Sequence, residues 1–580
     1  FFSLFCFLER EMEMKLVIAE KPSVANSIGK VIGANKRKDG YLEGNGYIVS
    51  YCIGHLIKMS NPDKYDENYL KWNIEDLPII PQDYIYEVSN DTKKQFLILK
   101  KLFNDKRVDE IINACDAGRE GELIFRLLYN YLKCKKKVKR LWISSLEDSE
   151  ILNGFNNLRD GKEFDNLYFS ACARAKGDWL VGMNLSRLYS CLYNQNYSVG
   201  RVQTPTLAMI VDRQEKINSF KKEKYYTVEI LGNGISFFSG RIDDKSLAEK
   251  LRDSIREKVK IYDVIEKIKT TKPDRIYDLT TLQRECNKYF GFTAKNTLDY
   301  AQSLYEKKLI TYPRTDSRFL TNDMKDNVKK YFEKIGYEVY EENFERCFDS
   351  SKVSDHHGII PTLSSIDYDF NLLKENEIKV FKLIKSKFIA SCSKNLIESI
   401  TKGIIKIDDF EFVYEGKVIK KEGFMKYLSE FKKLKESKFV HLNKGDEILV
   451  NEVRINERYT TSPKHYTDDT LLKSMENAGK VEVESERKGL GTPATRAGII
   501  EGLILKGLVE RKDKNLIPTK KGISLITIVC DFLKSEDTTS QWESKLYDIS
   551  KGKFKEEEFL NLISNEIKSI VSMYSHVKNS

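Results

Sequence analysis

The chain has 580 residues, which is too long for one domain and suits about four domains of roughly 150 residues. Hydrophobic residues make up 41% of it and charged residues 32%, which excludes a wholly disordered chain. It contains no run of about 18 apolar residues, so we expect no transmembrane helix and a cytoplasmic protein. Lysine and arginine exceed aspartate and glutamate by 97 to 87, and this net charge of +10 permits a polyanionic partner such as nucleic acid.

Cysteine and histidine are too scattered for a predicted zinc site. The ten cysteines form no Cys-x-x-Cys pair and only six histidines are present, so a zinc ribbon has no ligands. A Gly-x-x-x-x-Gly-Lys-Ser/Thr loop is also absent from the sequence. We therefore expect a reaction that needs neither zinc nor ATP hydrolysis.

The N-terminal region alternates short strands with helices. Residues 1–13 are interpreted as an upstream extension, because the first buried strand begins close to Met14. Within residues 14–155, the apolar runs at 16–19 and 108–115 are typical of buried strands, and a helical pattern follows each of them. This alternation predicts a doubly wound parallel sheet, in which ligands bind beyond the carboxyl ends of the strands.

The rest of the chain alternates between helical and β-rich segments. The predicted order is helices at 156–220, strands at 221–278, helices at 279–402, strands at 403–462 and helices at 463–580. Because strands precede and follow the block at 279–402, we interpret this block as an insertion into a β domain. The predicted fold class is therefore multidomain, with α/β, α and β domains.

Three carboxylates follow the two buried strands of the N-terminal region. Glu20 ends the first strand, and Asp116 and Glu120 come after the second strand. Carboxylate oxygens, together with water and phosphate, are the ligands that Mg²⁺ prefers, so the pattern predicts a magnesium site. The alternative is structural, because acidic residues after strands often cap helices.

The sharpest local feature is a tyrosine two residues before an arginine. Tyr312 and Arg314, in the segment Thr-Tyr-Pro-Arg-Thr-Asp-Ser-Arg, suit a nucleophile with a phosphate-binding cation beside it. A free phenol has a pKa of about 10, and we expect nearby cations to favour its ionised form. The alternative is an ordinary core tyrosine, since the chain contains 31 tyrosines.

Two adjacent histidines and two glycine-bearing loops are weaker candidates. His356 and His357 precede a turn, and a hydrogen bond from one of them to phosphate suits the pattern better than metal binding. Residues 198–203 and 489–496 lead into helices, where exposed amides and an arginine suit an oligonucleotide phosphate. An ordinary turn or helix cap is the alternative for each of them.

Taken together, these segments resemble the type IA DNA topoisomerases, and most of all their bacterial topoisomerase III branch. The matching segments follow the family's order along the chain. They are residues 18–25, 116–122, 198–205, 304–317, 356–362 and 489–500. The resemblance extends from about residue 14 to at least residue 530. It implies a Toprim domain with a Rossmann-like fold within a toroidal type IA core.

The resemblance also implies a role for each matched residue. Tyr312 would attack a DNA phosphate and form a 5′-phosphotyrosine, and Arg314 would stabilise the charge on that phosphate. Lys21 would help to hold the phosphate, His356 would contact it, and Glu20 would donate a proton beside the leaving 3′-oxygen. The implied Mg²⁺ ligands are Glu20, Asp116 and Glu120, and the implied DNA contacts are His55, Arg174, Asp178, Ser198, Val199, Gly200, Arg201, Val202, Gln203, Arg314, Thr495 and Arg496.

The sequence departs from the family's pattern in two places. The commoner family motif is Asp-x-Asp-x-Glu, and its third position is Gly118 here, so we expect one magnesium ion rather than two. The C-terminal part has no zinc ribbons, which favours single-stranded or underwound DNA as substrate. The family also implies a place of action at the nucleoid and a helicase as partner.

The implied function is ATP-independent passage of DNA strands, which relaxes negative supercoils, decatenates DNA or does both. Two other functions would use the same residues differently. A metal-dependent nuclease or primase would leave Tyr312 without a role and would release products free of protein. A non-catalytic scaffold for nucleic acid would need neither Tyr312 nor the carboxylates.

Overall fold

The structure is a computed structural model that describes residues 13–353, 356–437, 440–478 and 489–575. The predicted upstream extension lies outside the described residues, except for Glu13. Along the chain, an α/β region is followed by two long helices, a β-barrel interrupted by a helical block, and a C-terminal helical region. Among the described helices, none is both long enough and apolar enough to cross a membrane.

The N-terminal region is built on a seven-stranded sheet. The strands of this whole region are β1 (Met14–Ala19), β2 (Lys36–Lys38), β3 (Tyr41–Gly44), β4 (Tyr47–Tyr51), β5 (Ile57–Met59), β6 (Tyr86–Val88), β7 (Val108–Ala114), β8 (Lys137–Arg140) and β9 (Arg159–Asp160). The helices of the region are α1 (Pro22–Ile32), α2 (Lys93–Phe103), α3 (Arg119–Tyr131) and α4 (Asp148–Asn156). The sheet order is β2-β3-β4-β1-β7-β8-β9, while β5 and β6 pair separately. The four central strands are parallel, which confirms the predicted α/β fold, and β9 lies beyond the predicted boundary at residue 155.

The centre of the sheet is apolar on both faces because helices cover both faces. Leu16, Val17 and Ile18 in β1 are fully buried. Leu16 and Ile18 pack with residues of α2 and α3, whereas Val17 packs with residues of α1. A strand buried on both faces reads as a continuous apolar run, which makes it predictable from sequence. Pro22 begins α1 at its first position, so the chain turns sharply after the strand and leaves Glu20 at the sheet edge.

Two long helices follow the sheet. They are α5 (Asp165–Tyr193) and α6 (Gln203–Asn218). The loop between them contains Gly200, at the predicted glycine-marked break. Buried residues occur on every turn in the second half of α5, because other elements cover this helix from several sides.

The next part of the chain forms a closed barrel of six strands, with a helical block inserted between its third and fourth strands. The elements before the helical block are β10 (Lys224–Gly232), β11 (Ile235–Ser239), α7 (Lys245–Ser254) and β12 (Lys258–Thr271). The helical block contains α8 (Leu279–Phe290), α9 (Ala294–Glu306), α10 (Lys325–Lys334), α11 (Glu341–Glu345) and α12 (Glu375–Ser391). The strands after it are β13 (Leu396–Ile407), β14 (Phe410–Lys421) and β15 (Glu447–Tyr459). The barrel closes in the order β10-β11-β14-β13-β12-β15. The helical block is thus inserted into the barrel, as the sequence predicts, although β13 begins ahead of the predicted boundary at residue 403.

The C-terminal region consists of helices and one small sheet. Its elements are β16 (Tyr466–Thr467), α13 (Asp468–Asn477), α14 (Pro493–Leu505), β17 (Val509–Lys512), β18 (Asn515–Pro518), α15 (Lys520–Ile528), α16 (Asp531–Lys534), α17 (Glu536–Ser550) and α18 (Glu556–Ser575). The sheet order is β16-β18-β17. The sequence prediction of helices alone missed these strands, because two to four residues are too few to show an alternation. Residues of this region share one hydrophobic core with α5 and α6.

Gly121, in the first turn of α3, lets this helix pack directly on the main chain of Asp116. A Cβ atom at this position would lie 2.1 Å from the Asp116 carbonyl oxygen. We therefore expect Gly121→Ala to lower the free energy of unfolding of the N-terminal region by about 1–3 kcal/mol, because the helix or the strand end must shift. The midpoint of the urea or thermal transition measures this change.

Gly498→Ala in α14 is the matched control for Gly121→Ala. A Cβ atom at Gly498 meets no atom within 4 Å, and alanine is the better helix former. The control should therefore leave the transition unchanged or raise its midpoint. Equal losses of stability in both variants would contradict the packing argument at Gly121.

Candidate active site

The ends of β1 and β7 bring two carboxylates together. The two strands are adjacent and parallel, so Glu20 and Asp116 leave the sheet at the same edge. Glu20 is buried, and its carboxyl group lies close enough to Asp116 to interact with its charge. Burial and the charge of Asp116 raise the pKa of Glu20 from 4.5 to about 7, against the opposing charges of Arg314 and Lys21. Glu20 therefore carries a proton during part of the time at neutral pH.

The predicted nucleophile faces these carboxylates from the helical block. The hydroxyl of Tyr312 donates a hydrogen bond of 2.5 Å to Oδ2 of Asp116. Its main-chain N–H donates to the carbonyl oxygen of Ser144, in the N-terminal region, at 3.1 Å. The tyrosine ring contacts the rings of Tyr305 and His356, with centroid distances of 5.2 and 4.3 Å. These contacts fix the nucleophile at the junction of the two regions.

Tyr312 is a neutral phenol in this environment. Burial and the charge of Asp116 raise its pKa well above the usual 10, and the charge of Arg314 does not compensate. The charge of Arg314 lowers the pKa of Tyr312 in the predicted direction, but burial and the carboxylates of Asp116 and Glu20 raise it by more. The phenol must lose its proton during any attack, and Asp116 is the acceptor already bonded to it.

Arg314 and His356 offer two kinds of hydrogen-bond donor beside the tyrosine. The Nε atom of Arg314 is buried and has no hydrogen-bond partner among the described residues. A buried donor without a partner is unfavourable, and a phosphate oxygen would satisfy it. Nδ1 of His356 lies 3.2 Å from Oγ of Ser144, and burial lowers the pKa of this histidine to about 3. The imidazole is therefore neutral, so it suits a hydrogen bond to phosphate without adding charge.

The third predicted metal ligand makes a different contact. Oε1 of Glu120 lies 2.5 Å from Nε2 of His55, and this contact lowers the pKa of Glu120. Within the part of the chain that the structure describes, no group of three or more acidic, histidine or cysteine side chains is placed to hold a metal ion. The structure thus brings Glu20 and Asp116 together, whereas it pairs Glu120 with His55, which was predicted as a DNA contact.

Polar and apolar contacts join the N-terminal region to the helical block around the site. Nζ of Lys21 lies 3.6 Å from Oε1 of Glu306, and Nζ of Lys308 lies 2.5 Å from Oδ1 of Asp148. Tyr312 and the apolar residues of α9 belong to the same hydrophobic cluster as residues of β1 and α1. The site therefore lies within an interface that is closed in this conformation.

The predicted DNA contacts on α5 and in the following loop form a set of ion pairs. Nε of Arg201 donates to Asp178 at 2.9 Å, and Nε of Arg174 lies 3.9 Å from the same carboxylate. Arg201 is buried, and its Nη2 lies 3.1 Å from Glu543. The structure differs from the prediction at Arg201, because a buried arginine with two acidic partners does not face a DNA strand. Arg174 and Asp178 stay partly exposed.

Three further predicted DNA contacts are also buried. Val199 and Val202 lie in the hydrophobic core. Arg496 is buried as well, and it donates to a main-chain carbonyl and, at 2.9 Å, to the hydroxyl of Thr280. In this conformation these side chains hold the two loops in place, and they do not face solvent as the prediction requires.

The remaining predicted contacts of the two loops lie nearer the surface. Thr495 is exposed, and Ser198, Gly200 and Gln203 are half-buried. Nζ of Lys506 donates to Oγ of Ser198 at 2.8 Å and to Oε1 of Gln203 at 2.6 Å. The sequence reasoning missed Lys506, which directly follows α14 and is one of 97 basic residues with no motif to mark it.

Two family models match the parts of the chain that meet at this site. A model described as Toprim domain matches residues 15–146, and one described as DNA topoisomerase matches residues 162–561. The chain belongs to the type IA DNA topoisomerase family. It is a DNA topoisomerase, an enzyme that cleaves DNA, passes a strand through the cut and reseals it. The Toprim match contains Glu20 and Asp116, and the second match contains Tyr312.

Relatives of this topoisomerase cover almost its whole length. DNA topoisomerase 3 of Bacillus cereus is 38% identical over 97% of this chain and 82% of the relative. DNA topoisomerase 3 of Staphylococcus saprophyticus is 36% identical over 97% of this chain and 83% of the relative. Among solved structures, full-length topoisomerase I from Thermotoga maritima matches with a TM-score of 0.77 and 22% identity, covering 96% of this chain and 90% of that one. This last likeness confirms the multidomain type IA fold.

Toprim domains generally bind Mg²⁺, and the donors of this topoisomerase suit one such ion. Glu20 and Asp116 supply only oxygen ligands, which Mg²⁺ prefers. After burial, the charge of Asp116 is the next cause of the raised pKa of Glu20, so the two carboxylates leave mutual repulsion at this edge of the sheet when both are ionised. A divalent cation would compensate it, so the residues present fit the ion.

Glu20→Gln tests the raised pKa of this carboxyl group when no metal is bound. The folded topoisomerase holds the Glu20 proton more tightly than the unfolded chain does, so the stability due to this group is complete below pH 4.5 and falls as the pH rises to about 7. Glutamine stays neutral throughout. In EDTA at pH 8 we expect the variant to unfold at a higher temperature than the unmodified topoisomerase, by an amount equivalent to at most about 3 kcal/mol.

At pH 5 the two proteins should unfold at nearly the same temperature, because Glu20 is then protonated in the folded state. Thermal unfolding followed between pH 5 and pH 8 gives both comparisons. A difference between the proteins that does not change with pH would show that Glu20 is already ionised at pH 5.

Proposed function

We propose that this topoisomerase cuts one DNA strand with Tyr312, holds the cut end covalently and reseals it without ATP. The observation that supports this most strongly is the place of Tyr312, whose hydroxyl is bonded to Asp116 beside the charges of Arg314 and Glu20. Passage of a second strand between cutting and resealing would relax negative supercoils, decatenate DNA or do both.

In the proposed cutting step, the phosphorus atom of one DNA phosphodiester is transferred from a 3′-oxygen to the oxygen of Tyr312. Oη of Tyr312 forms a bond to phosphorus, and the bond between phosphorus and the 3′-oxygen of the neighbouring nucleotide breaks. The hydroxyl proton passes to Asp116, to which it is already hydrogen bonded. The leaving 3′-oxygen takes a proton from Glu20, whose pKa of about 7 suits a general acid at neutral pH. The products are a 5′-phosphotyrosine and a free 3′-hydroxyl.

Three further side chains are suited to hold the reacting phosphate. Arg314 has a buried Nε without a partner, Lys21 adds a second positive charge, and His356 offers a neutral hydrogen bond. Because one phosphodiester replaces another, little free energy is lost in the exchange. The same residues can therefore run the step in reverse, with both protons returned, and reseal the strand.

We propose that Glu20 and Asp116 hold one Mg²⁺ ion, with Glu120 as a third ligand when it is released from His55. A bound ion supplies positive charge that helps to align the two DNA ends for resealing. Without the ion, Glu20 carries a proton for part of the time at neutral pH, and it can serve as an acid only when it is not acting as a ligand.

We also propose that the substrate is single-stranded or underwound DNA and that the topoisomerase acts at the nucleoid. Ser198 and Gln203, which lie beside Lys506, and the exposed Thr495 would face the strand. Arg174 and Asp178 on α5 would add to this surface. A helicase partner stays a prediction from the family.

Tyr312→Phe tests the nucleophile directly. The unmodified topoisomerase, incubated with a labelled single-stranded oligonucleotide and Mg²⁺ and stopped with denaturant, should give label that migrates with the protein. The variant lacks the attacking oxygen, so this adduct should disappear, while the affinity for the oligonucleotide should change by less than about 2-fold. Tyr331→Phe is the matched control, because Tyr331 is a buried tyrosine of the same block outside the site, and it should form the adduct normally.

The same assay separates the other functions. Cut DNA without a protein adduct, in the presence of Tyr312, would support a nuclease. Binding without any cutting would support a scaffold. Adduct formed by Tyr312→Phe would contradict the assignment of the nucleophile.

Gly118→Asp tests the number of carboxylates at the metal site. Gly118 has φ 164° and ψ 175°, an extended backbone that any residue adopts, so the substitution requires no change of backbone conformation. The added ligand should lower the Mg²⁺ concentration needed for half-maximal resealing by about 3- to 10-fold. Gly118→Ala is the control and should not change it. An identical Mg²⁺ titration for both variants would show that this position does not face the ion.

A further inference from the structure

Arg140, the last residue of β8, is buried behind the edge of the sheet that carries the carboxylates. It is 1% exposed, so it reaches neither solvent nor DNA. Its guanidinium lies 5.2 Å from the ring centroid of Trp142 and 6.0 Å from that of Phe164. A buried charge is unfavourable unless hydrogen bonds and an opposite charge satisfy it.

The hydrogen bonds of Arg140 go to the end of β7 and the turn after it. Nη1 donates to the carbonyl oxygens of Cys115 at 2.6 Å and of Asn113 at 3.0 Å. Nη2 donates to the carbonyl oxygen of Asp116 at 2.7 Å. Nη1 also donates to the carbonyl oxygen of Leu141 at 3.1 Å. One side chain therefore fixes the main chain from the end of β7 to Asp116 itself.

A buried glutamate on the next helix holds Arg140 in this place. Nε of Arg140 lies 3.2 Å from Oε2 of Glu122, in α3. The same carboxylate accepts hydrogen bonds from Nδ2 of Asn113 and Nε of Arg126, both at 2.9 Å. Glu122 thus ties Arg140 to the strand before Asp116 and to the helix after it.

We propose that Arg140 is a positioning residue for strand cutting, because it fixes the main chain of Asp116 and so the carboxylate that receives the Tyr312 proton. The inference rests on the proposed function of Tyr312 and Asp116. The hydrogen bond between those two side chains is 2.5 Å long, so a small shift of the Asp116 main chain would break the proton path. Misplacement of a reacting group by about 1 Å can slow a reaction by about 100-fold.

Arg140→Lys is the informative substitution. Lysine keeps the buried charge, but one ammonium group cannot donate to all four carbonyl oxygens and pair with Glu122 at the same time. We expect the rate of adduct formation at saturating oligonucleotide to fall by about 10- to 100-fold. The dissociation constant for the oligonucleotide in EDTA should change by less than about 2-fold, because Arg140 does not face DNA.

Arg126→Lys is the matched control. Arg126 pairs with the same glutamate at a similar distance, but its other bonds go to Gly161 and Asp165, outside the site. It should form the adduct at close to the normal rate even when its melting temperature falls. Equal losses of rate in Arg140→Lys and Arg126→Lys would overturn the proposal, because both would then report only a weakened fold.

Glu122→Gln decides the question if Arg140→Lys does not fold. It keeps the shape of the side chain and removes the charge that holds Nε of Arg140, so the adduct rate should fall by more than in Arg126→Lys. A folded Arg140→Lys or Glu122→Gln protein with a normal adduct rate would overturn the proposal. Failure of the proposed function looks different, since the unmodified topoisomerase would then form no adduct at all.

Discussion

The hydrogen bond from Tyr312 to Asp116 links the helical block of this topoisomerase to its N-terminal sheet. Its donor and acceptor are 196 residues apart in the chain. Asp116 lies at the end of a buried strand in the N-terminal sheet, whereas Tyr312 belongs to a helical block inserted into the barrel. The bond forms only when the two regions are in contact, so every element that positions the regions also determines whether the tyrosine can react.

Burial, rather than the number of nearby cations, determines the protonation states in the site. Glu20, Tyr312 and His356 all have shifted pKa values, and in each case burial is the largest cause. All three shifts favour the neutral form of the group. The closed site therefore holds a protonated nucleophile, a carboxyl group that can donate a proton and an uncharged imidazole, and it leaves the positive charge to Arg314 and Lys21.

The sheet and its two carboxylates could be predicted because they depend on short-range patterns. A strand buried on both faces is a continuous apolar run, and a helix begun by Pro22 fixes where that strand ends. The pairing of His55 with Glu120 joins residues 65 positions apart, and no local pattern indicates it. Arg201 and Arg496 lie in segments that resemble family motifs, but a motif does not reveal whether its arginine faces solvent or the core.

Division of the active site between two regions also sets the order of events. Tyr312 belongs to one side of the interface, while Asp116 and Glu20 belong to the other. In the proposed mechanism, any movement wide enough to admit a second strand takes the DNA end on Tyr312 away from both carboxylates. The cut strand therefore cannot be resealed while the two regions are apart. Resealing becomes possible only after the regions have closed again.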